Sequence, residues 1–350
     1  MLELLNDYDL EGLPISCARY GAGHINETWL VVTARPHLYI LQKINRHVFP
    51  DAEGLMRNVI RVTEHIRRKE PDPRRALRLV PARDGALYLH AGADVWRLYE
   101  FITDSVCLER AETAEDFRQS GRAFGMFQRQ LADFPAEELV EVIPGFHDTP
   151  KRYEALRRAV AADRVGRAAS ARAEIDFYLR REDTAGVLMD LLRREELPLR
   201  VTHNDTKLNN VMLDAATHEP LCVIDLDTVM PGLAANDFGD SIRFGASTAA
   251  EDEKDLEKVH FSLPLYQAYA GGFLAACGSS LTALERETLP EGARLMTLEC
   301  GARFLTDYLE GDVYFRTDRP EHNLDRARTQ MKLVKEMEDS RAEMQRLIMA

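Results

Sequence analysis

Short apolar runs separated by polar or turn-forming residues mark the first hundred positions, a pattern typical of β-strands. The strands predicted from these runs lie at residues 28–32, 38–44, 86–89 and 95–102. The segment 53–69 differs, because apolar residues such as Leu55 and Val59 recur every three or four positions. That spacing is typical of an amphipathic helix. Residues 1–103 are therefore predicted to be strand-rich, with one helix.

Beyond residue 103 the apolar positions take a helical spacing over most of the chain. Phe117, Phe124 and Leu131, for example, fall on one broad helix face. The predicted helices are 114–134, 149–173, 174–192, 256–276, 295–309 and 323–349, the last as one long helix or two. The chain is therefore expected to be α+β, with a strand-rich lobe at 1–103 and a helical lobe at 104–350. A cleft between lobes is a common ligand site.

The composition fits a folded protein with an acidic surface. Apolar residues make up 45% of the chain, and 58 acids against 45 lysines and arginines give a net charge of −13. Such a surface repels a phosphate backbone, so we expect no nucleic-acid partner. A single nucleotide is still compatible with this charge, because a bound metal ion screens its phosphates.

The five cysteines indicate a reducing compartment. They are scattered, odd in number and contain no CxxC pair, which is typical of buried thiols in a cytoplasmic protein. We expect no signal peptide, because residues 1–16 lack a basic stretch before a long apolar run. We also expect no membrane association, because no run of about 18 apolar residues occurs.

Residues 201–210, VTHNDTKLNN, place an acid, a lysine and two asparagines directly after an apolar lead-in. Phosphoryl transfer needs a carboxylate that orients the attacking hydroxyl and accepts its proton. It also needs oxygen ligands that hold Mg²⁺ on the phosphates. Asp205, followed five residues later by Asn210, offers both. The alternative is that these two residues only cap turns of a solvated loop.

A predicted hairpin supports the first interpretation. Its two strands and the turn between them are residues 210–213, 221–226 and 214–220. Pairing across this turn sets Asn210 beside Asp225 at the open end, next to Asp205. Three oxygen-bearing groups then converge, and oxygen ligands are what Mg²⁺ selects. Asp227 points the same way if the strand continues, which makes it a candidate second metal ligand.

The triplet AspPheGly at 237–239 offers a rival metal ligand, because protein kinases hold their metal with that triplet. It lies beyond the predicted hairpin, however, and the hairpin favours Asp225. We expect Asp237 and Asp240 to stand at the start of a following helix instead. There they would cap the helix or brace the Asp205 loop.

These motifs resemble those of the aminoglycoside phosphotransferase and choline kinase superfamily. Its pattern is His-x-Asp, an Asn five residues after the Asp, and Ile-Asp on a later strand, matched here by His203, Asp205, Asn210 and Asp225. The resemblance implies a protein-kinase-like two-lobed fold and the use of ATP. It implies Asp205 as the catalytic base, Asn210 and Asp225 as Mg²⁺ ligands, and His203 as a structural member of the loop.

Longer strings resemble one group within that superfamily, the N-acetylhexosamine 1-kinases. They are GHIN (23–26), YILQ (39–42), LMRNV (55–59), FHDTP (146–150), VTHNDTKLNN (201–210), DFGDSIRFGAST (237–248) and YLEGD (308–312). These strings span nearly the whole chain. The resemblance implies ATP-dependent phosphorylation of the anomeric C1 hydroxyl of N-acetylglucosamine or N-acetylgalactosamine, giving N-acetylhexosamine 1-phosphate.

The same resemblance assigns phosphate contacts to the first lobe. Gly21 and Gly23 precede a predicted strand and would form the loop above the ATP phosphates, although Gly-x-Gly alone is usually just a turn. Gln42 stands where the superfamily carries a phosphate-binding lysine, and Lys43 comes next. Successive strand residues point to opposite faces. Either Lys43 is recruited through a bulge, or Gln42 serves together with backbone and metal.

The segment that joins the lobes is the candidate adenine site. In this superfamily such a segment pairs with adenine through its backbone, which here implies the main chain of Glu100, Phe101 and Ile102. The alternative is an ordinary buried strand end.

The resemblance also marks a set of sugar contacts. They are His24, Asn26, Asp205, Arg303, Asp307 and Tyr314. Arg303 and Asp307 lie four residues apart on one helix face, so they are either an ion pair or donor and acceptor for the sugar. Tyr314 offers a hydroxyl or a stacking face.

Two other functions fit the motifs. The first is a kinase for another small alcohol, such as choline or an aminoglycoside, although a polycationic aminoglycoside needs a lining of acids. The second is a non-catalytic nucleotide-binding module. Such proteins typically lack the base or the metal ligands, whereas this chain has both. The preferred epimer, the number of metal ions and the oligomeric state are left open.

Overall fold

A computed structural model of the chain describes residues 1–21 and 25–350. The predictions for Gly23 and His24 lie outside the described residues. In the described part, a strand-rich lobe is followed by a larger helical lobe, as the hydrophobic pattern predicts. The boundary at residue 103 falls in the segment between the last strand of the first sheet and the elements of the second lobe.

The N-terminal lobe is built on a five-stranded antiparallel sheet of order β1-β2-β3-β5-β4. Its strands are β1 (Pro14–Arg19), β2 (Glu27–Thr33), β3 (Leu38–Ile44), β4 (Leu89–Ala91) and β5 (Asp94–Glu100), and its helices are α1 (Leu2–Leu5) and α2 (Ala52–Lys69). The structure confirms the predicted strands that became β2, β3 and β5. The predicted strand at 86–89 is wrong in position. The chain turns at Gly85, where φ is +88°, and strand β4 begins only at Leu89.

Strand β1 was not predicted, and its burial explains why. It lies at the edge of the sheet, and its residues do not alternate between buried and exposed. Ile15, for example, is 62% exposed. Without one buried face the sequence carries no period of two.

The two faces of this sheet belong to different cores. Trp29 and Trp96 pack together on one face, with ring centroids 5.3 Å apart. On the other face α2 joins a core that continues into the helical lobe. The buried Asn58 of α2 donates to the carbonyls of Val140 and Val229 at 2.7 and 2.9 Å. Helix α2 is therefore fixed to the second lobe as well as to the first.

The second lobe is mainly helical. Its helices are α3 (Ala114–Gln130), α4 (Thr149–Ala162), α5 (Arg172–Leu179), α6 (Glu182–Ala185), α7 (Val187–Arg193), α8 (Ala234–Gly245), α9 (Leu263–Cys277), α10 (Ala283–Glu310), α11 (His322–Asp339) and α12 (Arg341–Met349). Its short strands are β6 (Ser105–Val106), β7 (Arg200–Thr202), β8 (Val211–Asp214), β9 (Pro220–Val223) and β10 (Met230–Gly232). Across residues 1–21 and 25–350 we find no helix with the length and apolarity needed to cross a bilayer.

Several predicted helix ends are wrong, and caps explain them. The helix predicted at 149–173 ends at Ala162, because Asp163 adopts a left-handed conformation with φ of 36°. The helix predicted at 295–309 begins earlier, where Thr282 forms a capping box with Glu285. The segment predicted as 174–192 becomes three helices, and the one predicted as 256–276 becomes a helix that begins at Leu263. The prediction of one long helix or two at 323–349 is confirmed as two helices, α11 and α12.

Glycines bring α3 and α9 into backbone contact. A Cβ added at Gly121 would lie 2.3 Å from the carbonyl oxygen of Tyr269, and one at Gly272 would lie 2.1 Å from that of Arg118. No side chain fits between these backbones. Since α3 also carries Gln128 toward the Asp205 loop, this contact supports the site described below.

We expect Gly121→Ala to destabilise the protein. Alanine gains up to about 1 kcal/mol of helix propensity over glycine. The clash is with backbone, however, and overpacking of this kind costs about 1–3 kcal/mol or more. Urea unfolding should therefore show a lower midpoint. Gly278→Ala is the matched control, because its nearest neighbours would be 3.7 Å away. A Gly121→Ala midpoint equal to that of the control would contradict this account.

Candidate active site

Asp205 lies in the loop between β7 and β8, with 28% of its side chain exposed. Lys207 Nζ lies 2.8 Å from Oδ1, and Asn210 Nδ2 donates to Oδ2 at 3.2 Å and to the Asp205 carbonyl at 2.8 Å. These donors fix the carboxylate and balance its charge, but they leave part of it open to solvent. A carboxylate held in this way is able to accept a proton from a bound hydroxyl.

His203 anchors this loop in the core. Its ring is fully buried, and Nδ1 accepts from the Asp205 N–H at 3.3 Å. The ring proton therefore lies on Nε2, which donates to the Ile224 carbonyl at 2.8 Å. The edges of Phe124 and Phe127 pack at the ring. The histidine ties the Asp205 loop to the end of β9.

The contacts of all three residues of the AspPheGly triplet are structural. Asp237 accepts from the N–H groups of His203 and Asn204 at 2.9 and 2.8 Å. Phe238 is fully buried, and a Cβ at Gly239 would lie 2.3 Å from the carbonyl of Gly292 on α10. The hydrogen bonds confirm the prediction that Asp237 braces the Asp205 loop.

Asp240, one turn along α8, is a second brace. It accepts from the Thr206 N–H at 3.0 Å and lies 3.1 Å from Arg243 Nη2. Burial alone would raise the pKa of Asp240, but the charges of Arg243, Lys207 and His147 outweigh burial and lower it. The loop that carries Asp205 is thus held from behind by two buried carboxyl groups, Asp237 and Asp240.

The hairpin has the predicted register. Val211 pairs with Val223, and the Ile224 N–H donates to the Asn210 carbonyl at 2.9 Å. Asp225 follows in a left-handed conformation, with φ and ψ both 59°, which aspartate tolerates better than most residues. The pairing brings Asn210 and Asp225 to one end of the hairpin, beside Asp205.

Negative charge accumulates around Asp225. The residue is exposed to solvent, although neighbouring protein atoms partly enclose its carboxylate. This enclosure, followed by the charges of Asp227 and Asp205, raises its pKa to about 6, against the opposing effects of His203 and Arg97. A cation bound here would relieve that repulsion.

The donor set fits Mg²⁺ held jointly by protein and phosphates. Asn210 turns its amide nitrogen toward Asp205, which leaves its oxygen for a cation. Within residues 1–21 and 25–350 no three His, Cys, Asp or Glu side chains form a ready metal cage. Mg²⁺ usually takes one or two carboxylates and completes its sphere with waters and substrate phosphates. Asn210 and Asp225 supply that kind of partial sphere.

Asp227 meets the N-terminal sheet, and this contact was missed in the sequence. Arg97 Nη2 of β5 lies 2.5 Å from Asp227 Oδ1, and both side chains are buried. Asn26 Nδ2 donates to the other oxygen, Oδ2. The available signal was a charged residue in the middle of the apolar run VWRLY (95–99), where alternation predicts a buried side chain.

Gln42 and Lys43 point to opposite sides of β3. Arg97 Nε and Nη2 donate to Gln42 Oε1 at 3.0 and 2.9 Å. Lys43 lies on the other face, with Nζ 2.8 Å from Asp94. The register there is regular, so β3 has no bulge that turns Lys43 inward. This placement favours Gln42 over Lys43 as the residue near the phosphates.

The backbone at the end of β5 is only partly engaged by neighbouring segments. The N–H groups of Glu100 and Phe101 donate to the carbonyls of Arg78 and Leu38 at 2.9 and 3.1 Å, whereas that of Ile102 meets no backbone acceptor in the described chain. The rings of Tyr20 and Phe101 pack edge to face at 6.1 Å. Gly21, with φ of +75° and open space around its Cα, follows Tyr20 directly. The glycine loop thus starts above this segment.

Arg303 lies among aromatic rings and not against Asp307. Its guanidinium carbon is 5.6, 5.8 and 5.5 Å from the ring centroids of Phe146, Tyr314 and Phe315. In the part of the chain that the structure describes, the ion pair with Asp307 that spacing allowed is not formed. The side chain is partly exposed, so its charge is available to a ligand.

Asp307 is used by the backbone that follows its helix. It accepts from the N–H groups of Val313, Tyr314 and Phe315 at 2.9, 2.7 and 2.9 Å, and from Asn323 Nδ2 at 2.8 Å. The carboxylate is buried. Asp307 therefore holds the loop that carries Tyr314, whose own side chain is 70% exposed.

The string FHDTP (146–150) supports the same region. His147 Nδ1 lies 3.0 Å from Glu299, which also accepts from the Thr149 hydroxyl at 2.7 Å. Burial would raise the pKa of Glu299, but the bond and charge of His147, the charge of Arg303 and the bond from Thr149 together outweigh burial and lower it. Phe146 of the same string is one of the rings around Arg303, and the bond from His147 to Glu299 fixes the next residue of that string to α10.

Comparison with known proteins agrees with this geometry. A model of the family described as "Phosphotransferase enzyme family" matches residues 16–272. Among solved structures, an amicoumacin kinase in complex with AMP-PNP, Ca²⁺ and Ami is 13% identical, with a TM-score of 0.64 over 97% of this chain and 92% of that chain. A choline kinase from Cryptosporidium parvum Iowa II is 14% identical, with a TM-score of 0.60 over 97% and 96%.

A microcompartment-associated aminopropanol kinase is also similar. It is 17% identical, with a TM-score of 0.58 over 98% of this chain and 97% of that chain. At these identities the structures show the shared fold alone, and that fold is the predicted kinase-like one.

Proposed function

The chain belongs to the phosphotransferase enzyme family, and we propose that it phosphorylates the anomeric hydroxyl of N-acetylglucosamine or N-acetylgalactosamine with ATP and Mg²⁺. The observation that carries this choice of acceptor is the position of Arg303 among three aromatic rings. A fixed cation beside stacking faces suits a neutral sugar with hydroxyl and carbonyl acceptors. It repels choline or an aminoglycoside, both of which are cationic.

In this proposal Asp205 orients the C1 hydroxyl and accepts its proton. The bond from the sugar oxygen to the γ-phosphorus forms as the bond from that phosphorus to the β-phosphate oxygen breaks, and ADP leaves. Lys207, 2.8 Å from Asp205, lies where it offsets the charge on the carboxylate and on the transferring group. The closing step returns the proton from Asp205 to solvent.

In this proposal the first lobe and the hairpin would hold ATP against Asp205. The N–H of Ile102 would pair with adenine, and the loop from Gly21 onward would cover the phosphates. Asn210 and Asp225 would hold Mg²⁺, which neutralises phosphate charge when bound. The mechanism needs these groups at one end of the β8–β9 hairpin, where the register puts Asn210 and Asp225.

Release of ADP from MgATP over a panel of acceptors tests the proposal. The panel is N-acetylglucosamine, N-acetylgalactosamine, glucose, galactose, choline and kanamycin, with phosphorus NMR of any product. We expect turnover with the acetylated sugars and the signal of an anomeric phosphate. Turnover with choline or kanamycin alone would overturn the acceptor and keep the phosphotransferase.

Arg303→Met tests the contact that carries the proposal. A hydrogen bond to a charged group contributes about 1.5–3 kcal/mol, so we expect the KM for the acetylated sugar to rise by roughly tenfold or more. The KM for ATP should stay close to the wild-type value. Arg316→Met is the matched control, because Arg316 follows Tyr314 by two residues and its side chain is 86% exposed. Equal sugar KM values for the two variants would remove Arg303 from the site.

A further inference from the structure

The buried cluster around Arg97 has no role in the chemistry proposed so far. The side chain of Arg97 is 1% exposed and that of Asp227 is 4% exposed. Both Asp227 oxygens face groups of the first lobe, namely Arg97 and Asn26. A charge pair this deep is costly to assemble, and truncating one partner leaves the other unpaired.

The cluster is rigid on the side of the sheet. Gln42, which accepts from Arg97, donates in turn to the Thr28 hydroxyl at 3.1 Å. Asn26 accepts from the Asn45 N–H at 3.0 Å. If the lobes separate, the Arg97 guanidinium therefore stays with the sheet and does not move with Asp227, because Gln42 and Thr28 of neighbouring strands hold it in place.

The other side of the cluster leads to the Asp205 loop. Asp227 lies in a single 3-10 turn, Leu226–Thr228, that begins directly after Asp225. Thr228 donates from its hydroxyl to the His203 carbonyl at 2.6 Å, and its own carbonyl accepts from Asn204 Nδ2 at 2.8 Å. One short turn thus connects the N-terminal sheet with the loop of the proposed base.

We propose that Arg97 is a positioning residue that locks this turn to the sheet through Asp227, and so fixes Asp225 and the Asp205 loop beneath the strands that cover ATP. The inference rests on the proposed phosphoryl transfer. Arg97 supplies a fixed positive charge in the middle of β5, directly opposite Gln42, which stands at the lysine position of β3. Asp227 then belongs to the contact between lobes, with Oδ1 in an ion pair with Arg97 and Oδ2 accepting from Asn26.

Two variants test the role. Arg97→Lys keeps a charge opposite Asp227, but it loses the planar fork that also reaches Gln42. The double variant Arg97→Met with Asp227→Asn removes both charges at similar volume, a change that buried pairs often tolerate without loss of folding. Arg61→Met is the matched control, since Arg61 on α2 pairs with Glu138 on the surface.

For each protein we would measure the melting temperature, the Mg²⁺ concentration for half-maximal kcat, and the KM values for ATP and sugar. We expect the double variant to stay folded, with at least a tenfold change in the Mg²⁺ requirement and in kcat, on the scale of about 10–100-fold seen for groups that support metal ligands. For Arg97→Lys we expect a Mg²⁺ requirement and a kcat between those of the double variant and wild type. The KM for sugar should change least of the measured quantities. A folded double variant with the Mg²⁺ requirement of wild type would overturn the proposal.

Calorimetric titration with MgATP, without any acceptor, separates this inference from the choice of substrate. Wild-type protein that binds MgATP but does not phosphorylate acetylated sugars would refute the proposed acceptor. The Arg97 variants would still report on Arg97 in that case. We expect the double variant to bind MgATP more weakly than wild type, and this comparison does not involve the sugar.

Discussion

Asp205→Asn should lower kcat by about 10²–10⁴-fold, the range that general base catalysis contributes, with little change in the KM values for ATP and sugar. Asparagine keeps the shape of the side chain and an oxygen for the Asn210 amide, which lies 3.2 Å from Oδ2. It loses the negative charge that accepts the proton of the hydroxyl. Steady-state kinetics with MgATP and an acetylated sugar measures the effect.

The lower kcat reports on catalysis only if the variant folds as wild type does. Asp205 is partly exposed, and its loop is held by Asp237 and Asp240, so we expect the melting temperature of the variant to match that of wild type. Asp176→Asn is the matched control, because Asp176 forms a helical ion pair with Arg172 on the surface of α5. Wild-type turnover by Asp205→Asn would end the base assignment.

The part of the site that could be predicted from the sequence is the β8–β9 hairpin, whose two strands are joined by a short turn. Antiparallel pairing across a short turn fixes which residues lie opposite each other. The bond from the Ile224 N–H to the Asn210 carbonyl is therefore a consequence of local pattern. The bracing role of Asp237 was only one of two predicted roles, helix cap or brace, because the bonds that decide it join residues 33 and 34 positions apart.

The contacts that could not be predicted arise where the chain reverses direction or where the two lobes meet. Arg303 and Asp307 have the spacing of an ion pair, yet the chain reverses after Gly311, where φ is +101°. Three backbone N–H groups then donate to Asp307 in place of Arg303. The helical spacing of residues does not predict that reversal. Arg97 is a similar case, since its partner Asp227 comes from the other lobe.

Asp225→Asn should separate function from stability. The variant keeps the left-handed conformation, which asparagine adopts readily, but it loses the charge of a proposed metal ligand. We expect kcat to fall by at least about 10–100-fold and the Mg²⁺ requirement to rise, since even groups that only support metal ligands act on that scale. Asp163→Asn is the matched control, because Asp163 also has a positive φ and lies at the end of α4.

The same variant should be as stable as the wild type or more stable when Mg²⁺ is removed with a chelator. Asp225 stands among like charges, and its pKa is raised from 3.8 to about 6. A carboxyl with a raised pKa binds more protons in the folded state, so ionisation destabilises the fold as pH rises from about 4 to 6. The melting temperature of Asp225→Asn should therefore exceed that of wild type at pH 7.5 and approach it near pH 4.

Added Mg²⁺ and ATP should reverse that order. A ligand that binds only the folded state raises the melting temperature in proportion to its affinity, and the wild-type site should bind MgATP more tightly than the variant. A wild type that melts above Asp225→Asn in chelator would show that Asp225 is stabilised within the protein. A variant that gains as much stability from MgATP as the wild type would show that the metal lies elsewhere. The two measurements together decide whether the negative charges around Asp225 destabilise the free protein and are neutralised by a bound cation.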